Sequence, residues 1–345
     1  MAADAKKKSF FKRQEIMRKV VYAALPCIAA GVYLFGWRVL VIALVAVVTG
    51  VICEYLLARR RGDQVSEAVF VTAVLFAVIM PPTVPLHVVV IGMAFSIILT
   101  KEVFGGFGRN FFNPAMAGRC FVYIAFPVAM TAVWTSPAPG MLGNLQAWIA
   151  GGFHGWPSVE HWYGALGQWR TYTIDSTTGA SPLGAVKLGG PVPPVSQLLL
   201  GNLSGVSGAT CALVILIGGV YLYVKKIANR TIILTCVITY FVLNQALNML
   251  GVPQVRLNGL EAVLGGGFLF GAFFMATDPV SAPKTQPGRW IYGILIAVLT
   301  TTIRNFSIFN GGFMFSLLLA NMFAPIIDYG ATEWKKLRAA RGAAS

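Results

Sequence analysis

The sequence predicts an all-α polytopic membrane protein, with about ten transmembrane helices arranged as two inverted five-helix repeats that contain broken helices. Three observations predict it. The 345-residue chain is 57% hydrophobic and only 11% charged, against roughly 25% charged residues in soluble domains. Apolar runs long enough to cross a hydrocarbon core of ~30 Å recur along the chain. Lysine and arginine are distributed very unevenly among the segments that connect those runs.

The expected spans are 20–36, 38–57, 66–80, 85–101, 114–134, 209–224, 231–250, 260–276, 290–304 and 312–328. Of these, 66–80 and 260–276 are short and are expected to be broken helices. A basic cytoplasmic segment, 1–19, precedes them (Lys6, Lys7, Lys8, Lys12, Arg13, Arg18, Lys19). The apolar run after it is long enough to span, so no cleavable leader is expected. The divisions are then a first five-helix repeat at 20–134, an outer-side loop at 135–208, a second repeat at 209–328 and a basic cytoplasmic tail at 329–345.

Charge sets the orientation. With the N-terminus in the cytoplasm, cytoplasmic segments hold 21 of the 27 Lys and Arg residues, outer segments hold 5, and Arg119 lies inside the fifth span. That is a strong positive-inside bias. It places both termini in the cytoplasm and the 135–208 loop outside. The net charge of +15 is then a matter of topology and anionic headgroups, and nucleic acid is not an expected partner. Trp148, Trp156, Trp162 and Trp169 in the outer loop suit an interfacial anchor.

A fixed offset of 195 residues relates Met80 to Met275 and Arg109-Asn110-Phe111 to Arg304-Asn305-Phe306. Identity between the halves is otherwise sparse. An odd number of spans per half forces inversion, and inverted repeats with broken helices create cavities near the midplane. Cys27, Cys53, Cys120, Cys211 and Cys236 show no C-x-x-C spacing, so neither a disulfide framework nor a zinc site is expected. His87, His154 and His161 are too scattered for a metal site.

Three irregular, polar-tipped segments join Gly or Pro to polar side chains at helix ends: Lys101–Arg119, Gly201–Thr210 and Met275–Pro283. A fourth, Asp175-Ser176-Thr177-Thr178-Gly179-Ala180-Ser181, is a hydroxyl-rich turn in the outer loop. Taken alone it reads as a turn. These four, with Pro81–Leu86, the continuation of the second to Tyr221 and Asn321–Asp328, resemble a membrane component shared by two related complexes. One is the sodium-translocating NADH:quinone oxidoreductase; the other is the Rnf ferredoxin:NAD oxidoreductase. The resemblance covers about residues 20–330. Lys101–Gly106 and Ala324–Asp328 look more like the quinone-reductase component, and Asn113–Gly118 and the modest length look more like the Rnf one. The balance favours the quinone-reductase side.

The resemblance implies a bacterial inner-membrane protein carrying flavin mononucleotide (FMN), esterified through its phosphate to Ser181 by a flavin transferase. Asp175, Thr178, Gly179 and Ala180 form the rest of that site. The family more often has Thr at this position, and Ser offers the same nucleophilic oxygen. Thr210, in Ser207-Gly208-Ala209-Thr210, is the competing site, but Ser204 stands where an acid is wanted and Thr210 begins a helix. The resemblance further implies non-covalent riboflavin, quinone as acceptor, a second flavin-bearing subunit and a subunit that oxidises NADH or ferredoxin. Asn113, Asn202 and Asp278, at helix breaks, are the expected polar contacts to a flavin ring. Glu102, Asp278 and Asp328 are the carboxylates the resemblance associates with Na+ coupling. A plainer reading makes them interfacial charges paired with Lys101, Arg289 or Lys335, while Glu54 and Glu261 read as interface charges. The rival class is a solute channel or secondary transporter with no flavin; a third is a scaffold that has lost it.

Overall fold

Helices begin where the sequence offers a cap and end where glycine or a polar turn releases the backbone. The structure, a computed structural model, describes residues 10–131, 134, 137, 182–187, 189–307, 309 and 311–343. Asp175, Thr178, Gly179, Ala180, Ser181 and the four loop tryptophans lie outside the described residues.

The first half contains α1 (Glu15–Phe35), α2 (Arg38–Arg61), α3 (Ala68–Val78), α4 (Leu86–Ile97), α5 (Pro114–Ala125) and α6 (Pro127–Thr131). Two short helices follow, α7 (Pro182–Lys187) and α8 (Val195–Leu200). The second half contains α9 (Ala212–Val224), α10 (Arg230–Met249), α11 (Gly259–Leu264), α12 (Phe268–Phe270), α13 (Gln286–Phe306) and α14 (Gly312–Ala343). Helical segments thus fall within all ten expected spans. Four are long and apolar enough to cross a membrane: Glu15–Phe35, Arg38–Arg61, Arg230–Met249 and Gly312–Ala339.

Local chemistry explains the boundaries. Asn113 caps α5, its side chain accepting from Met116 N at 3.2 Å, with Pro114 at the first helical position. Asn229 caps α10, Thr285 caps α13, and Asn258 forms a capping box with Glu261 at α11. α4 and α12 both pass into π-helical turns, Ile98–Glu102 and Gly271–Met275. Such turns are rare and concentrate at functional sites. The eighth span is broken as expected, by Gly265, Gly266 and Gly267 between α11 and α12.

The irregular segments supply what the broken helices lack. Beyond α3, the Met80 carbonyl accepts from Ser207 N (2.8 Å) and Ser207 Oγ (2.7 Å), and the Val78 carbonyl accepts from Gly208 N (2.9 Å). A Cβ at Gly208 would stand 2.7 Å from the Cys27 carbonyl oxygen, so only glycine lets this loop enter between α1 and α3. Buried carbonyls left bare would each cost ~1–3 kcal/mol.

Packing in the two halves follows one pattern. α2 lies against α3 and α4, and α4 against α5; α10 lies against α11 and α13, and α13 against α14. The halves meet where α1 packs on α9 and α5 on α14. The Arg-Asn-Phe tripeptides, however, sit in different settings: Arg304 is buried in the last turns of α13, whereas Arg109 is exposed in a loop.

One expectation needs correction: the chain is not wholly α, because Phe11–Lys12 and Val65–Ser66 form a parallel two-stranded pair. Within the basic N-terminal segment, α1 begins at Glu15. Arg18 there donates from Nε to both Glu67 oxygens (3.0 and 2.9 Å), which neutralises it against the protein. The tail after 328 continues as helix α14 to Ala343.

Candidate functional site

Two cavities lie at opposite ends of α5. Asn113, Pro114 and Ala115 at its start line the smaller cavity, and Met116, Arg119 and Tyr123 further on line the larger. The α12 segment runs between them in the same way: Phe270 borders the larger cavity and Phe274 the smaller, their rings stacked at 4.8 Å and 17°. This aromatic pair stands between the two spaces.

The larger cavity spans about 1200 Å³ of space between side chains, open solvent included. Leu183 and Val186 of α7, Thr210, the glycine break at 265–267 and Arg304 line it. α7 is pinned to the second half at two points. Lys187 Nζ donates to the Ser307 and Phe309 carbonyls (3.0 and 3.1 Å), and Arg256 Nη1 donates to the Val186 carbonyl (2.8 Å). Burial, with the neighbouring Arg304 charge, pushes the Lys187 ammonium down to about 8. Thr210 Oγ1 donates to the Val206 carbonyl at 2.6 Å, and a Cβ on Gly205 would stand 2.3 Å from Thr210 Oγ1.

The smaller cavity, about 720 Å³, brings together Asn113 and Asp278, along with Lys101, Asn110 and Thr277. Asn113 Nδ2 also donates to the Met275 carbonyl at 3.3 Å. Asn202 is not part of this group; it is exposed in the loop after α8.

The expected coupling carboxylates are separate from one another, and among the described residues no three acidic, His or Cys side chains converge. Glu102 pairs with Arg61 through Oε2, while its Oε1 is buried with no donor among the described residues. Asp278 accepts from Val280 N (3.1 Å) and Ser281 Oγ (3.0 Å). Burial pushes its carboxyl upward against those two bonds. Asp328 accepts from Lys284 N (2.8 Å), Thr285 N (3.0 Å) and Thr285 Oγ1 (2.5 Å), tying α14 to the start of α13. Among the described residues these carboxylates form no direct ion pair with Lys101, Arg289 or Lys335, although the Lys101 charge acts on Glu102 and the Arg289 charge on Asp328.

Sequence reasoning misplaced Glu54. It is 2% exposed and forms a buried ion pair with Lys101 at 2.6 Å. Ser66 completes the cluster, donating to Glu54 Oε1 from N and Oγ (2.8 and 2.7 Å) and accepting from Lys101 Nζ at 2.8 Å. The signal was a lone acid inside an apolar run with a lysine elsewhere. The Glu261 carboxylate serves the α11 capping box, accepting from Asn258 N at 2.9 Å. Arg119 and Arg304 were also passed over as site residues, although Arg119 is a single cation within a span.

Four helices of membrane-crossing length and composition, with π turns beside the cavities, mark a polytopic membrane protein. The sequence pattern of the NQR2, RnfD, RnfE family matches residues 6–335, and the chain belongs to that family. It is 36% identical over 297 residues to the B subunit of the Na(+)-translocating NADH-quinone reductase of Ectopseudomonas mendocina, covering 83% of this chain and 64% of that one. It is 35% identical over 302 residues to the protein of the same name from Klebsiella pneumoniae (86% and 67%). The likeness to the Haemophilus influenzae counterpart is 38% over 284 residues (81% and 62%). The chain thus spans about 64% of the length of the first of these relatives. Their names fall on the quinone-reductase side of the family.

Proposed function

We propose that this chain is the flavin-carrying membrane subunit of a respiratory, redox-driven cation pump of the NADH:quinone reductase type. The reading rests on family membership and on what its relatives are named for. Its setting is a bacterial inner membrane with both termini cytoplasmic, a reading that the charge bias supports. The ten helical segments form two inverted repeats, 20–134 and 209–328, consistent with the recurring packing pairs. The larger cavity then opens outward and the smaller toward the cytoplasm.

The observation that carries the reading is the larger cavity. Ser181 itself lies outside the described residues, but it is two positions in sequence from Leu183, a lining residue, which supports a group on its hydroxyl reaching that space. The donor set suits an anionic, partly aromatic ligand: the Arg304 and Arg119 guanidiniums, the Phe270 and Phe313 rings, and the glycine break. Flavin mononucleotide supplies chemistry that side chains lack, accepting one or two electrons. The chain would hold it with Arg304 and Arg119 and exclude water with the apolar lining. In the smaller cavity, Asn113 and Asp278 are the polar groups we assign to a non-covalent riboflavin.

The remaining parts come from elsewhere: an NADH-oxidising subunit, a second flavin-bearing subunit, quinone, Na+ and a flavin transferase for maturation. Denaturing-gel fluorescence under ultraviolet light tests the proposal. A fluorescent band lost in Ser181→Ala and retained in Thr210→Ala supports it. The reverse pattern moves the site to Thr210, and a dark wild-type band favours a channel or flavin-free scaffold.

A further inference from the structure

Four cations converge where α10 and α13 begin. A surface basin of about 910 Å³, open solvent included, is lined there by Lys226, Arg230, Lys284 and Arg289. Asp278 is the one carboxylate among the described lining residues, and both its oxygens accept hydrogen bonds. Asp328 lies close by, accepting from Lys284 N and Thr285 N and under the Arg289 charge. None of the four cations forms an ion pair among the described residues. The two arginines are held in place. Arg230 donates to the Tyr223 and Val224 carbonyls (3.0 and 3.4 Å), its guanidinium 4.9 Å from the Tyr223 ring centre. Arg289 donates from Nε to the Pro283 carbonyl and from Nη1 to Gln286 Oε1, both at 3.3 Å. Lys226 and Lys284 are exposed. Lys226 stands at φ +57°, and among the described residues no other non-glycine residue has a positive φ. Glycine would be unstrained there, so the lysine costs stability while placing a charge on the basin.

The helix faces that meet the basin turn apolar below it. On α10, Leu234 and Ile238 follow Arg230 at four-residue spacing, and on α13, Trp290 and Ile294 follow Gln286 in the same way. Residues four apart share a helix face, and Arg230 and Gln286 both line the basin. All four of these apolar side chains are exposed, and a tryptophan suits the level of lipid headgroups. Gln286 Nε2 donates to Thr231 Oγ1 at 2.8 Å, joining the two helices at the rim. Positive charge therefore sits directly above two exposed apolar rows.

We propose that this basin binds the phosphate headgroup of an anionic phospholipid, with the acyl chains along the Leu234–Ile238 and Trp290–Ile294 rows. The chemistry recognised is a phosphate oxyanion. The Arg230 and Arg289 guanidiniums offer planar, positioned donors, and the two lysines offer point charges on flexible stems. A basic recess between membrane helices on the cytoplasmic side is a setting in which such headgroups bind. The apolar rows favour a lipid over free phosphate, which would leave them uncovered. The basin shares Asp278 with the smaller cavity, so a bound headgroup stands at the boundary between the two spaces. The proposal stands apart from the flavin reading and uses only the membrane setting and its orientation. Binding makes and breaks no covalent bond.

The test is native mass spectrometry of the full chain in neutral detergent, titrated with phosphatidylglycerol. Affinity for the first lipid should fall about fivefold in Lys226→Gln and about fivefold again when Lys284→Gln is added, the effect of one cation each near an anionic lipid. The control Arg59→Gln/Arg60→Gln removes two exposed charges at the end of α2 and should leave that affinity unchanged. Phosphatidylcholine should bind wild type and the double lysine variant equally, and inorganic phosphate should not displace phosphatidylglycerol. Lys226→Gly separates binding from folding: it relieves the positive φ, so the thermal unfolding temperature should hold or rise while lipid affinity falls. Unchanged affinity in the double lysine variant overturns the site, and so does an equal loss in the Arg59→Gln/Arg60→Gln control. Displacement by inorganic phosphate overturns the lipid as occupant, and an equal lysine dependence with phosphatidylcholine overturns the preference for an anionic headgroup.

Discussion

Asn113 and Met275 are joined by a hydrogen bond of 3.3 Å across 162 residues of chain, from the Asn113 amide to the Met275 carbonyl. The same side chain caps α5 through its other atom. One residue therefore starts a helix in the first half and satisfies a carbonyl at the end of the π turn in the second. Ser207 does the corresponding work at Met80, where the first-half helix α3 gives out. Each broken helix is completed from a distant part of the chain, so neither half can keep its cavity wall alone.

Replacing Asn113 with alanine removes both bonds. Loss of the cap costs ~1 kcal/mol, and the bared carbonyl costs about 1–3 kcal/mol more. The thermal unfolding temperature in detergent should fall clearly for Asn113→Ala and less for Asn113→Asp, which retains the cap acceptor. Equal stability of wild type and Asn113→Ala would contradict this role.

The Glu54–Lys101 pair should show the behaviour of a desolvated ion pair. Lys101→Met leaves a buried carboxylate uncompensated and should destabilise by about 3–5 kcal/mol. The double variant Glu54→Leu/Lys101→Met should recover most of that. A double-mutant cycle on thermal stability measures the coupling, and additive single effects would refute it.

Among the three carboxylates considered for coupling, the spare valence is uneven. Both Asp278 oxygens and both Asp328 oxygens accept hydrogen bonds, whereas Glu102 Oε1 has no donor among the described residues. The sodium dependence of turnover in the assembled complex should therefore shift most in Glu102→Gln. Asp328→Ala should act mainly on stability, by freeing the start of α13. Unchanged sodium stimulation in Glu102→Gln would exclude its part in coupling.

Lys187 supplies a pH signature. With its ammonium pushed down to about 8 from an ordinary 10.5, the folded state prefers the free amine. Between these values the unfolded chain binds the extra proton, so stability attributable to this group rises with pH through that window. Acylation of Lys187, followed by mass spectrometry across pH, should show a midpoint near 8. A midpoint near that of the exposed lysines would remove the claim.

How much of this was legible in the sequence follows from the range of each signal. Apolar runs and caps are local, so the helical segments and the break around Gly266 could be read directly. Asn113 and Asp278 were picked out because polar residues at a helix break within a membrane need partners. The pairing of Glu54 with Lys101, 47 residues on, has no local signature, and an isolated charge near a span end resembles an interfacial one. Arg119 and Arg304 became a pair only when α5, α13 and the glycine break closed around one cavity. Asn202 lies apart from Asn113 and Asp278 and faces solvent, a placement that a polar residue in a glycine-rich loop does not reveal in advance.

The account depends most on a covalent flavin at Ser181. Intact-mass analysis of the chain matured with its flavin transferase, with peptide mapping of 171–190, tests it directly. The expected result is one flavin mononucleotide, less one water, on the peptide containing Ser181 and none on the peptide containing Thr210. An unmodified chain, or a flavin found only on Thr210, would contradict it.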